Sequence, residues 1–403
     1  MLDVRPCADA AELRDALRPI FHYFGRTPTE EASEQIWRLL PAERMHAARD
    51  DGVVVGGAGA FPFELTVPGG RVRAAGVTVV GVLPTHRRRG VLRSMMRAQL
   101  DAVHERGEPV ACLWASEGTI YGRFGYGIAS LGGEIELPRD HASFGVPLER
   151  RGRARLVDAQ AAAEALPQIY DRVAAETPGM FARSRDWWEV RLLSDPESRR
   201  RGRSEMERAL LELDGEPAAY ALYRVSLSFS YGSSTGSLDV VEALGVSPQA
   251  TTELWRFLLD VDWVEHVKAY LLPIDHPLFL LLAEPHRMRF TVVDGLWVRL
   301  VDVGAALSAR GYAGDGAVVF DVRDDFCPWN AGRWRLENGT ATRTDAEPEL
   351  ELDVSVLGSA YLGGFTFAEL AAGLRVEELA PGAIARADAL FRTDRAPWCP
   401  EIF

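Results

Sequence analysis

The 403-residue chain has one lysine, Lys268, among its 45 basic residues, and its four cysteines, Cys7, Cys112, Cys327 and Cys399, are scattered. There is no Cys-x-x-Cys pair and no histidine at metal-ligand spacing, so neither a disulfide framework nor a zinc site is supported. Reduced cytoplasmic thiols are the expectation. The lack of lysine beside abundant arginine reads as coding bias. Long apolar runs are missing too, because AYLLPIDHPLFLLLAEP is broken by Pro, Asp and His well short of the about 18–20 residues that a spanning helix needs. The opening MLDVRPCADAAELRD lacks a basic segment followed by an apolar one, which excludes a secretory signal there. Positive charge is not in excess: 45 Lys+Arg against 58 Asp+Glu give −13. That balance argues against general nucleic-acid or anionic-membrane binding and favours a cationic small-molecule partner, although it also simply confers solubility. GGAGA at 56–60 misses the G-x-G-x-x-G spacing and reads as a strand or bulge with close backbone packing.

A hydrophobic fraction of 47% over 403 residues allows two or three cores. The most informative stretch, residues 74–126, reads AAGVTVVGVLPTHRRRGVLRSMMRAQLDAVHERGEPVACLWASEGTIYGRFGY. An apolar strand is followed by an Arg/Gly turn, an amphipathic helix, a second apolar strand and a Tyr-bearing helix. Val91, Leu92, Met95, Met96, Leu100 and Val103 recur at three- and four-residue steps, and Gly107 closes that helix as its C′ residue. The helix therefore packs on a sheet. A strand entering Arg87-Arg88-Arg89-Gly90 and then a helix start presents unpaired N–H groups and a positive dipole end to an anion such as pyrophosphate. Gly90 admits close backbone approach, and the arginines add fork-shaped donors. Without a ligand the same turn is a solvated charged loop.

The run Arg87-Arg88-Arg89-Gly90-Val91-Leu92 resembles the Arg/Gln-x-x-Gly-x-Gly/Ala coenzyme A loop of the GNAT acyltransferases, with Leu92 in place of the small residue. Tyr121-Gly-Arg-Phe-Gly125-Tyr126 resembles their Tyr-x-x-x-Gly-Phe segment. More narrowly, THRRRG with ASEGTIYGRFGY, a length near 400 residues and an aromatic last residue are similar to the Eis (enhanced intracellular survival) branch of the GNAT N-acetyltransferases. This resemblance implies acetyl-CoA as co-substrate and no metal. It implies backbone contacts to the coenzyme at Val80, Gly81 and Val82. Pyrophosphate contacts would run across Arg87, Arg88, Arg89, Gly90, Val91, Leu92 and Arg93, with Ser116 and Glu117 at the end of the second strand. Strands Val77 to Val82 and Val110 to Ala115 would splay apart around the thioester. A homohexamer is implied as well.

Acetyl transfer from a thioester to an amine needs a polarised carbonyl, a deprotonated amine and a protonated leaving thiolate. The resemblance makes Tyr121 the general acid, and a phenol of pKa near ~10 stays protonated at neutral pH. Tyr126 competes for that role, or packs. The base implied is the main-chain carboxylate of the last residue, Phe403. An α-carboxyl of pKa about 3.3–3.7 is a weak base, so the site must raise it or relay protons through water. The end WCPEIF, aromatic and proline-rich, reads as docked and not frayed. Glu401, two residues away, is the rival base and a candidate acceptor contact. Substrate walls are implied at Phe21, Tyr23 and Trp37. The activity expected is N-acetylation of a cationic multi-amine small molecule such as an aminoglycoside. The alternatives are a protein lysine or another metabolite as acceptor, or a non-enzymatic carrier of an apolar ligand with a vestigial coenzyme loop.

Further along, SLDVVEALG at 237–245, TTELWRFLLDVD, VKAYLLP and HPLFLLLAE repeat the order strand, helix, strand, short helix. The intervening turn Val246-Ser-Pro-Gln-Ala250 has neither glycine nor arginine, so this half is expected to lack a coenzyme site. RDHASFGVPLERRGRARLV, near 138–156, reads as a linker. From about 290 the segments TVVDGLWVRLVDV, AVVFDVRDD, GRWRLENGTATRT and LELDVSVLGSAYLGG read as strands, Asn338-Gly339 as a hairpin turn, and FTFAELAAGLRVEEL and ADALFRTD as helices. The fold class expected is a multidomain α+β or α/β chain. It comprises a GNAT domain over 1–145, a second GNAT-like domain over 146–290 and a sterol-carrier-like domain over 291–403. The last domain serves, within the resemblance, to deliver the chain terminus to the first.

Overall fold

The computed structural model describes residues 2–230 and 233–403, in two compact units: residues up to Ser130 with Leu296–Pro397 and Ile402–Phe403, and Leu131–Gly295 with Trp398–Glu401. In the first unit, β1 (Leu2–Pro6), β2 (Met45–Asp50), β3 (Val53–Val67), β4 (Gly70–Val82) and β5 (Val110–Trp114) lie side by side. Leu296–Leu300 and β6 (Gly127–Ile128) complete that sheet. Its helices are α1 (Ala10–Tyr23), α2 (Glu30–Leu39), α3 (Val91–Glu105) and the single turn α4 (Gly118–Tyr121). Asp9 caps α1 by accepting from the Glu12 N–H, and Leu13, Ala16 and Leu17 form its buried stripe. Helix α1 comes so close to the sheet that a Cβ on Gly57 would stand 2.0 Å from the Ala16 carbonyl oxygen. GGAGA is thus a strand that small residues make approachable, and the β3–β4 ladder shifts register between Gly57 and Gly59. On α3 the expected apolar stripe is buried except for half-buried Leu92, and Gly107 follows the helix at φ 65°.

The same unit holds a second sheet, ordered Thr340–Arg343, Gly332–Glu337, Ala317–Arg323, Leu350–Asp353, Val376–Glu378. Asn338 and Gly339 close its hairpin, both at positive φ (50° and 74°). LELDVSVLGSAYLGG is only half strand: Asp353 accepts from the Ser355 N–H and starts a helix, Val354–Ala360. Every side chain of that helix is buried, so its β-branched residues fill a core and show no helical periodicity.

The second unit's sheet runs Thr291–Asp294, Leu131–Pro138, His266–Pro273, Ser237–Gly245, Glu216–Ser226, Glu207–Leu213, Gly152–Leu156. The repeated strand, helix, strand order is present as Ser237–Gly245, Pro248–Leu259 and His266–Pro273, with the two strands parallel. At the turn between them Ser247 caps the helix through the Ala250 N–H, and Pro248 has no N–H to offer. The expected linker is partly an edge strand, since Gly152–Leu156 pairs with Leu213 to Ala209. The divisions expected at residues 145 and 290 do not follow the sheets. Leu131–Pro138 pairs within the second unit, and Leu296–Leu300 stands between β5 and β6 in the first. Local sequence signals mark a strand but not its partner, which non-local pairing decides. Among the described residues no helix is long and apolar enough to cross a membrane.

Candidate active site

Strands β4 and β5 are parallel for only three pairs, ending at Gly76 opposite Cys112. Beyond that point β5 keeps pairing with Leu296–Leu300, while residues 77–82 of β4 keep pairing with β3. The two strands therefore part. The β5-facing side of residues 77–82 has no strand partner among the described residues, and Val79 at φ 48° marks a bulge in it. Val80 and Val82 are half-buried and Gly81 is buried, its place enforced by α1, because a Cβ there would meet the Ile20 nitrogen at 2.7 Å. Apart from the Val82 carbonyl, which accepts from the Tyr23 hydroxyl at 2.8 Å, the backbone of this unpartnered side suits an extended ligand that adds to the edge like a strand.

Past β4 the chain turns through Arg87, Arg88 and Arg89, all exposed. Arg89 pairs with Asp50 at 3.1 Å, whereas Arg87 and Arg88 have no ion-pair partner among the described residues. Gly90 caps α3 at φ 83° without a side chain, so the first-turn N–H groups of Val91, Leu92 and Arg93 have no side-chain acceptor. A Cβ on Gly90 would meet no protein atom within 4 Å, so the glycine answers to backbone conformation and to open space in front of the helix. Arg93 lies 5.3 Å from the centroid of Phe326. Two free guanidiniums, unpaired N–H groups and a helix dipole fit a pyrophosphate. Gly90→Glu is expected to abolish acetyl-CoA binding while the protein stays folded, because it places a carboxylate in that space. A thermal-shift titration should show roughly 2.7 kcal/mol of stabilisation for the parent at a hundredfold excess over Kd, and none for the variant. Unchanged coenzyme affinity would remove the loop from the site.

Ser116 and Glu117 are exposed after β5, and Glu117 precedes α4, which carries Tyr121. Burial pushes the Tyr121 phenol up to about 12, with the Glu117 charge adding to it. Its ring meets Tyr126 edge-on at 6.0 Å. The two hydroxyls differ. That of Tyr126 is sealed and unbonded, whereas that of Tyr121 is neither sealed nor hydrogen-bonded among the described residues. Burial also raises the Tyr126 phenol. Behind it, Gly125 at φ 83° leaves room for the guanidinium of Arg299, which is buried and pairs with Asp324 at 2.7 Å. Proton donation is thus open to Tyr121 and closed to Tyr126.

The ring of Phe403 meets that of Phe63 edge-on at 4.8 Å. Phe63 lies over the parting of the strands, since a Cβ on Gly76 would fall 2.2 Å from its ring. The last residue therefore stands beside the fork. Phe63 escaped the sequence reading, because a strand phenylalanine carries no signal beyond core packing. Glu401 differs from its expected role as an acceptor contact. Its Oε2 accepts from the Trp187 indole at 2.8 Å and lies 3.0 Å from Arg183, while Oε1 lies 3.4 Å from Arg191. Both oxygens are engaged, so Glu401 is offered neither to a substrate nor as a base. Of the expected walls, Phe21 is half-buried on α1 and Trp37 is 39% exposed on α2, neither in an aromatic contact among the described residues. Tyr23 reaches the site instead, donating to the Val82 carbonyl at 2.8 Å.

A forked parallel pair, a glycine-capped anion loop and an open tyrosine together define a GNAT acyltransferase. Family models agree: an acetyltransferase (GNAT) domain matches residues 3–129, a second one residues 179–300, and a sterol carrier protein domain residues 303–400. An uncharacterized N-acetyltransferase of Streptomyces avermitilis is 42% identical over 388 residues, covering 94% of each chain. N-acetyltransferase Eis of Mycobacterium tuberculosis is 37% identical over 380 residues, covering 90% of each. The crystal structure of Eis1 from Mycobacterium abscessus superposes over 100% of both chains with a TM-score of 0.86 at 36% identity. The chain belongs to the Eis family of GNAT N-acetyltransferases.

Proposed function

We propose that this enzyme acetylates amines of a cationic multi-amine small molecule, such as an aminoglycoside, by direct transfer from acetyl-CoA. The observation that carries the reading is the last residue beside the fork: Phe403 rests on Phe63, whose ring lies against Gly76, the last residue of β4 to pair with β5. When bound, acetyl-CoA supplies an acetyl group activated as a thioester. The backbone of Val80, Gly81 and Val82 holds and polarises that end, while Arg87, Arg88 and the first turn of α3 hold the pyrophosphate. The terminal carboxylate of Phe403 takes a proton from the acceptor ammonium, directly or through water, and the freed amine forms the N–C bond as the C–S bond breaks. Tyr121 gives its proton to the departing sulfur, and the surplus proton of the acylated nitrogen leaves through water, which returns one to the Tyr121 phenolate. A carboxylate at the acceptor side and the net charge of −13 both attract a polycation.

Thiol release from acetyl-CoA, followed across aminoglycosides, polyamines, simple amines and lysine peptides, tests this. Turnover should be highest with multiply charged small amines. Preference for lysine peptides would overturn the acceptor class. No thiol release with any amine, combined with no stabilisation by acetyl-CoA, would favour the carrier. We also propose a cytoplasmic homohexamer, to be checked by light scattering and cell fractionation.

A further inference from the structure

The loop 324–330 belongs to the segment similar to sterol carrier proteins, yet it lies in the same compact unit as α3 and packs against the start of that helix. Its conformation is pinned. Asp324 pairs with the buried Arg299 at 2.7 Å and accepts from the Cys327 N–H at 2.8 Å, and the Asn330 amide donates to the Asp324 carboxylate at 3.0 Å. Phe326, 4% exposed, is thereby held against Phe124, with ring centroids 5.0 Å apart. Two guanidiniums of α3 share its ring, Arg97 at 4.0 Å from the centroid and Arg93 at 5.3 Å. They stand four residues apart, where like charges on a helix repel. Only one is neutralised: Arg97 pairs with Asp101 at 3.2 Å, whereas Arg93 is exposed and has no ion-pair partner among the described residues. A guanidinium over a ring face keeps its N–H edge for an anion, and a fixed ring lowers the cost of ordering a long side chain. Arg97 lies one helical turn, roughly 6 Å, beyond Arg93, so the pair continues the anion-binding start of α3 along the helix.

Coenzyme A carries a second anion besides its pyrophosphate, a phosphomonoester on the 3′ position of the same ribose, with about −1.5 to −2 charge at neutral pH. We propose that Arg93 and Arg97, braced on Phe326, form the subsite for that 3′-phosphate, so that the sterol-carrier-like segment takes part in choosing the coenzyme. The Arg93 N–H stays with the pyrophosphate while its side chain turns to the ring. The proposal rests on the coenzyme reading of Arg87, Arg88 and Gly90. Affinities for acetyl-CoA and for acetyl-3′-dephospho-CoA are measured by calorimetry in the full chain as parent, R93Q, R97Q, F326L and R71Q. The parent should bind the dephospho form roughly tenfold more weakly, and added salt should narrow that gap. R93Q should weaken acetyl-CoA binding roughly tenfold and leave the dephospho form unchanged, which closes the gap. R97Q, whose parent charge is shared with Asp101, and F326L, which leaves both arginines unbraced, should each close part of it. R71Q removes an exposed charge at the end of β4 away from the fork and should leave the gap open. If F326L does not fold, R93Q, changed on the surface, decides alone. Equal affinity for the two coenzymes in the parent, a gap that survives R93Q, or one that R71Q closes as well would overturn the subsite. Full acetyl-CoA affinity in Gly90→Glu would sink the coenzyme loop and this proposal with it. Lost affinity in Gly90→Glu beside a parent indifferent to the 3′-phosphate would sink only the proposal.

Discussion

Replacing Tyr121 by phenylalanine is expected to lower kcat by roughly 10²–10⁴, the range for a lost general acid, with little change in stability or in acetyl-CoA affinity. The substitution keeps the ring against Tyr126 and removes only a hydroxyl that has no hydrogen bond among the described residues, so no buried partner is orphaned. Tyr126→Phe removes a sealed, unbonded hydroxyl and should be silent in turnover. The pH profile gives a second check. Burial raises the Tyr121 phenol to about 12, so its protonated form persists well above neutrality and kcat should show no alkaline fall below about pH 10. A silent Tyr121→Phe beside a damaging Tyr126→Phe would reverse the assignment.

The parts of this site that could be read from sequence are those made by adjacent residues. Arg87 to Gly90 and the α3 stripe lie within one turn and one helix, where local periodicity and a φ 83° glycine leave a direct trace. The different turn of the repeated half is legible for the same reason: Ser247 supplies a side-chain cap there, where Gly90 leaves the helix start open. Partner choice was not legible. Leu131–Pro138 and Leu296–Leu300 both look like strands, but which sheet each joins is settled by pairing across more than a hundred residues. The helix Val354–Ala360 reads as strand in sequence because it is buried all round and its valines carry a strand's composition. Sequence makes Glu401 look like an acceptor contact because its proximity to the last residue is visible there, whereas Arg183, Arg191 and Trp187, which occupy it, lie some two hundred positions away.

Extending the chain by Gly-Ser after Phe403 is expected to abolish acetyl transfer while leaving acetyl-CoA affinity intact. The extension turns an anion into a neutral peptide bond and pushes bulk past the Phe403–Phe63 contact, so it removes both the base and the attraction for a cationic acceptor. In the proposed arrangement coenzyme binding relies on residues 80–82 and on the start of α3, which carry no part of the tail. Phe403→Ala separates the ring from the charge: it keeps a terminal carboxylate but loses the edge-on contact 4.8 Å from Phe63. Its turnover should therefore fall between that of the parent and that of the extended protein, since the base survives but is less well held. Glu401 cannot take over in either variant while Arg183, Arg191 and Trp187 hold its oxygens. The decisive comparison is turnover and acetyl-CoA affinity in an N-terminally tagged parent, the extended form and Phe403→Ala. Full activity in the extended form would leave proton removal to solvent, and an inactive Phe403→Ala beside it would make the aromatic ring, and not the carboxylate, the essential feature of the terminus.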